Sequence, residues 1–194
     1  MRRPSIRYHM IGVLAVAAML LCGAVSASAQ VPQELRNAMS PGLHFSPDGV
    51  GITIDLPANE GGIIHNVRIM ADPYGLMTGR SDDIPGVKGE YILMHVVKTV
   101  RSPKGYLYRI TAGPGIMGGY VRDKGKPFGP VAGICGSVGM DLLLKKQVTI
   151  SFGITTELGV HLDYRNRYNS RITLYKNGLL GTVYPSVSVK HRFR

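Results

Sequence analysis

Tryptophan is absent, phenylalanine is scarce at four residues, and acidic residues number 12 against 23 lysines and arginines. The missing indoles leave ten tyrosines as the amphipathic rings available for a wet–dry boundary. Cysteine is nearly absent too. Of the two, Cys22 lies in an N-terminal leader, and Cys135 alone cannot form an intramolecular disulfide. Beyond the leader no run of about eighteen apolar residues occurs, which excludes a spanning helix there. The histidines that follow the leader (His44, His65, His95, His161 and His191) are scattered. They show no H-x-H spacing and no cysteine partner, so neither a metal site nor a cofactor is expected.

The leader itself is well marked. Arg2, Arg3 and Arg7 precede a mostly apolar stretch over 10–25, and Ala27-Ser28-Ala29 offers a small-residue cleavage site before Gln30. This predicts a secretory signal peptide over 1–29. The alternative, a single N-terminal membrane helix, fits poorly with the polar sequence that follows at once. A lipoprotein signal is disfavoured because Leu21, a large residue, precedes Cys22. Cleavage removes three arginines and no acid, taking the formal net charge from +11 to 11 − 3 = +8. Residues 30–42 then read as a short irregular segment, and 43–194 as one domain.

What is present is a long alternation. Over 148–163, Val148, Ile150, Phe152, Ile154, Leu158, Val160 and Leu162 fall on one face; Thr149, Ser151, Gly153, Thr155, Glu157, Gly159, His161 and Asp163 fall on the other. Period-two patterning is the signature of a strand, and an ordinary strand is only about five or six residues long. A preceding strand from Pro130 joins it through Lys145-Lys146-Gln147. Similar patterns cover 50–56, 62–72, 106–120 and 183–193, while 90–101 carries apolar residues on both faces. Pro114 inside 106–120 predicts a bulge or break in the ladder. Long loops are expected at 73–89, 121–129 and 164–182. Short and long connections alternate, as they do between the two sides of a small membrane barrel. Parity then requires an outward strand before Val50, and Leu43 to Phe45 is the candidate. The segment 171–175 is either an alternative eighth strand or an extension beyond the membrane. The fold expected is all-β, an antiparallel up-and-down transmembrane β-barrel of eight strands, with polar residues inside and apolar ones outside. A soluble lipocalin-like barrel would have the reverse polarity.

Gly113-Pro114-Gly115, Gly118-Gly119-Tyr120, Leu142-Leu143-Leu144-Lys145-Lys146 and the closing Tyr184-Pro185-Ser186-Val187-Ser188-Val189-Lys190-His191-Arg192-Phe193 carry a resemblance. In these motifs the chain resembles the small eight-stranded outer-membrane barrels of the OmpA-transmembrane-domain and OmpX type, over residues 43–194. The resemblance implies residence in the outer membrane of a Gram-negative bacterium, surrounded by lipid and lipopolysaccharide. It also implies recognition of the strand 183–193 by the barrel-assembly machinery, although Arg194 follows the terminal aromatic.

Candidate site residues fall into two groups. Asp55, Arg68, Asp72, Arg109, Asp141, Glu157, His161, Asp163, Lys190 and Arg192 take inward parity. Mixed signs suit a narrow interior where buried charges must pair, so a charge network that fills the lumen is expected. A proton or ion path is the sharper alternative. An open solute pore belongs to barrels of about sixteen strands. The second group is a basic rim in the long loops: Arg122, Lys124, Lys126, Arg165, Arg167, Arg171 and Lys176. It is placed to meet lipopolysaccharide phosphates, which arginine binds bidentately. Tyr74, Tyr91, Tyr106, Tyr120, Tyr164 and Tyr184 lie near strand ends and read as interfacial girdles.

No catalytic residue is assigned. Ser151 and His161 share a strand face, but about 3.3 Å per residue puts them roughly 33 Å apart, too far for a triad. A lipid A-modifying enzyme stays as the second hypothesis. Nucleic acid, which a basic chain could suggest, is not an expected partner of an exported barrel. A monomer is expected, acting without catalysis through its structure or its loops.

Overall fold

A computed structural model describes residues 38–58, 62–71, 86–103, 106–123, 128–144, 147–166, 169–177 and 182–193. Among the described residues nine strands follow one another: β1 Ser40–Ser46, β2 Gly49–Asp55, β3 Ile63–Ala71, β4 Val87–Arg101, β5 Leu107–Arg122, β6 Phe128–Leu144, β7 Val148–Asn166, β8 Asn169–Leu174 and β9 Tyr184–His191. Every pairing is antiparallel and runs between sequence neighbours, apart from the β7–β9 and β1–β9 contacts. The sheet closes because β9 pairs with β1 on one edge and β7 on the other. The result is an eight-stranded up-and-down barrel of β1 to β7 and β9. β8 stands outside the count. It pairs with Val160–Asn166 at the far end of β7, whereas β9 takes Val148–Thr155 below it. Residues 171–174 thus belong to a ribbon that extends β7 past the closed wall and are not an eighth wall strand.

The stagger can be followed around the wall. Lys98 pairs with Ile110, then Met140, Phe152, Val187, Phe45, Val50, Ala71 and finally Val87, back on β4. The circuit returns 98 − 87 = 11 residues away, and one of these is the extra residue of the register shift between Val96 and Lys98. A stagger of about ten residues over eight strands tilts them by roughly 40°, from the 3.3 Å rise and 4.8 Å strand spacing. All nine residues of this circuit face outward, and only Lys98 among them is charged.

Two boundaries and one break stand out against expectation. β1 begins at Ser40, not at residue 43, because Pro41 and Gly42 are tolerated where the strand pairs β2 and β9. β4 begins at Val87, so Lys88 belongs to the wall and not to a loop ending at 89. The break foreseen at Pro114 exists on one side only. Pro114 keeps its place opposite Gly136 in the β5–β6 ladder, while on the β4 side the pairing lapses between Ile92↔Gly115 and His95↔Ala112 and resumes in the same register. Gly113 explains the close approach there: a Cβ would stand 1.8 Å from the Leu93 carbonyl oxygen.

The polarity follows the alternation. Leu43, Ile52, Ile69, Ile116, Ile154 and Val189 are exposed on the outer surface. Inside, Ile92, Met94, Met117, Val131 and Cys135 form an apolar layer on the β4–β6 wall. The rest of the interior is polar and charged, including Lys88 and Glu90 of β4, Arg109 of β5 and Asp141 of β6.

Candidate functional site: the barrel interior

Parity of β2 to β7 and of β9 aims a column of polar side chains at the axis. At one end Lys190 Nζ donates to Asp55 Oδ2 at 2.7 Å. Arg109 donates to Asp141 Oδ2 through Nε at 2.8 Å and Nη2 at 2.5 Å, and its Nη2 lies 3.9 Å from Asp55. Arg109 and Asp141 are direct cross-strand partners, which fixes the fork on the carboxylate. Asn66 Nδ2 donates to Asp55 Oδ1 at 2.6 Å and to Thr53 Oγ1 at 2.9 Å.

Arg68 links this cluster to the other end. Its Nε donates to Asn66 Oδ1 at 2.8 Å, Nη1 to Glu90 Oε2 at 3.2 Å and Thr155 Oγ1 at 3.1 Å, and Nη2 to Ser137 Oγ at 3.4 Å. Above it Lys88 is bonded to Asp48 and Glu157 and lies 3.7 Å from Glu90. Tyr184 donates its hydroxyl to Glu157. Lys176 bonds to Asp48 from the mouth. A continuous chain of polar contacts therefore runs from Lys176 and Asp48 through Arg68 to Asp55 and Asp141.

Five cations (Arg68, Lys88, Arg109, Lys176, Lys190) meet five carboxylates (Asp48, Asp55, Glu90, Asp141, Glu157) in these pairs. Pairing of this completeness is what permits charges in a dry interior. Beside the lower cluster lies a cavity of about 30 Å³, reached by Asp55, Asn66, Arg109, Asp141, Ser151 and Lys190. It has room for one or two waters, and Ser151 Oγ has no protein partner among the described residues.

Of the residues with inward parity, Asp55, Arg68, Arg109, Asp141, Glu157, His161 and Lys190 are buried inside, and Arg192 is half-buried at the lower end. The first seven do not form one site. His161 stands apart, with Nε2 3.2 Å from the Val121 carbonyl oxygen. Asp72 and the side chain of Asp163 lie outside the described residues. The alternation reading overlooked Asp48, which a turn brings beneath the mouth, and Lys88 and Glu90, which it left at the edge of a loop. It also missed His44, whose Nδ1 lies 2.8 Å from Ser188 Oγ. That contact resembles a base and its nucleophile, yet both residues are buried within the wall at 1% and 5% exposure.

Two further placements are corrections. Tyr184, expected in an outer girdle, points inward and is 7% exposed, because it shares parity with Ser186, Ser188 and Lys190. Lys176, expected on the outer rim, turns inward to Asp48. Its backbone sits at φ 47°, ψ 33° in the 3₁₀ turn Tyr175–Asn177, so strand parity does not apply to it. Arg122 and Arg171 are exposed; Lys124, Lys126, Arg167 and the side chain of Arg165 lie outside the described residues. Tyr91, Tyr106 and Tyr120 are exposed, Tyr91 hydrogen-bonded to His65 Nδ1 at 2.6 Å and Tyr120 stacked on Phe128. Tyr74 and the side chain of Tyr164 are outside the described residues.

Comparison with protein-family models, curated proteins and solved structures finds no match for this chain. The functional reading rests on the barrel and its polarity.

Proposed function

We propose that this chain is an integral outer-membrane β-barrel without catalytic activity, serving a structural role or binding through its outer loops. One observation carries the reading: the outward side of the closed wall is apolar while its inside is charged. Water would solvate the opposite arrangement; a bilayer favours this one. A lipocalin-like barrel with an apolar lumen is disfavoured on the same ground. The paired interior suits a plug that stiffens the wall more than a pore. The leader over 1–29 supports export, and the alternating strand at 183–193 supports a hand-over to the assembly machinery.

The test is the mobility of the protein from the membrane fraction on a gel. An unheated sample should migrate faster than a boiled one, because a closed barrel resists detergent. Identical mobilities, or recovery in the soluble fraction, would reject the membrane reading.

The rim is proposed to touch lipopolysaccharide phosphates. With Lys176 turned inward, six basic positions remain for this role: Arg122, Lys124, Lys126, Arg165, Arg167 and Arg171. Changing all six to glutamine should weaken retention of lipopolysaccharide on the purified barrel, most clearly at low salt where exposed charges are least screened. Equal retention by both proteins at low salt would remove the rim from the proposal.

A further inference from the structure

The upper end of the interior holds an arrangement that neither a plug nor a rim requires. Lys176 Nζ bonds to Asp48 and stands 5.2 Å from the Tyr175 ring centroid and 5.7 Å from that of Tyr184. Lys88 Nζ approaches the same rings from below, at 5.9 and 5.4 Å, and takes the other oxygen of Asp48. Two aromatic faces and a carboxylate around an ammonium are the parts of a cation cage.

The two lysines differ in how they are held. The Lys88 side chain is 4% exposed and is bonded to Glu157 as well as Asp48. The Lys176 side chain is 25% exposed, and Asp48 is its one ion-pair partner given by the described contacts. It sits at the only non-glycine position with positive φ among the described residues. The turn Tyr175–Asn177 is held where the Lys176 backbone N–H reaches Asp123 at 3.2 and 3.3 Å, and Thr182 Oγ1 donates to the Glu157 carbonyl oxygen at 2.5 Å. Tyr175 is 2% exposed and stays in place if only the lysine side chain rotates outward.

We propose that Asp48, Tyr175 and Tyr184 form an ammonium-binding cage at the barrel mouth, filled by the tethered Lys176 side chain and open to exchange for the amine of an external alkylammonium ligand. Exchange conserves charge: one ammonium leaves Asp48 and another takes its place, with Lys88 undisturbed beneath. The tether sets the competition, since a linked amine acts at an effective concentration in the millimolar range or above. The cage stands or falls independently of whether the outer surface faces lipid.

Lys176→Gly empties the cage and suits a backbone at positive φ. The folded barrel in detergent is titrated with methylammonium chloride, against sodium chloride at equal ionic strength, following the midpoint of thermal unfolding. Methylammonium at ten times its dissociation constant should raise the Lys176→Gly midpoint by about 4 °C. The native protein should need at least tenfold more of the amine for the same rise. Lys176→Gly combined with Asp48→Asn should show no rise beyond that of sodium. Equal responses of Lys176→Gly to methylammonium and sodium overturn the cage. Should Lys176→Gly fail to fold, Lys176→Asn, whose residue also tolerates positive φ, undergoes the same titration with the same criterion.

Discussion

An Arg68→Ala barrel is expected to lose about 3–5 kcal/mol of stability. The guanidinium makes four hydrogen bonds, to Asn66, Glu90, Thr155 and Ser137, and all of these partners except Thr155 and Ser137 also bind the next group along the charge column. Its removal leaves Glu90, 3% exposed, with only the 3.7 Å contact to Lys88 among its described ion pairs. The cost is the desolvation of an under-compensated carboxylate, which exceeds the modest net worth of the lost bonds. Arg68→Met with Glu90→Gln removes both charges and keeps the volume, so it should recover at least half of the loss. The readout is the urea midpoint of the barrel folded in detergent or lipid. An Arg68→Ala midpoint equal to that of the native protein would show that the column does not support the wall.

Ile154→Arg addresses the other side of the wall. Ile154 is 50% exposed, is paired with Val138 and Pro185, and is surrounded by outward apolar residues. In a bilayer an arginine near the midplane costs about 2–4 kcal/mol. On a water-facing surface the same change is worth within about 0.5 kcal/mol. The two environments therefore predict results that differ several-fold. Gln147→Arg, in the exposed turn before β7, serves as the control and should be near neutral. The measurement is folding free energy in lipid vesicles. A neutral Ile154→Arg would contradict a lipid-facing exterior.

The strands with one apolar face could be read directly from the chain. In β2 each outward residue is apolar and each inward one is small or polar, and β7 and β9 keep the same pattern apart from outward Thr156 and His191 and inward Tyr184, so a period of two identifies the strand and its lumen side together. That parity placed Asp55, Arg68, Arg109, Asp141, Glu157 and Lys190. β4 resisted because Ile92, Met94 and Val96 line the apolar part of the lumen, which erases the alternation that the lipid-like outer face would otherwise produce. Its start was hidden by neighbouring Gly86 and Gly89, and Lys88 went with it. Tyr184 was legible by parity from Lys190 and was misread from its position at a strand end. Asp48 and Lys176 follow no period at all: one sits in a turn, the other in a 3₁₀ turn whose direction depends on tertiary contacts. The charge column was thus half visible, and the cage was not visible.

The seam between β1 and β9 has a consequence for how the barrel comes together. Every other wall contact joins strands adjacent in the chain, or nearly so, whereas His44 and Ser188 meet across 144 residues and Met39 bridges Phe193 beside them. Local hairpins close cheaply; the one long loop pays its entropy at a single late step. The first and last strands are then neighbours, so in terms of connectivity the molecule is a ring of hairpins with one nick. A chain joined at that nick and opened at Lys145-Lys146 should retain every strand pairing of the original while moving the slow, nonlocal closure to the β6–β7 seam.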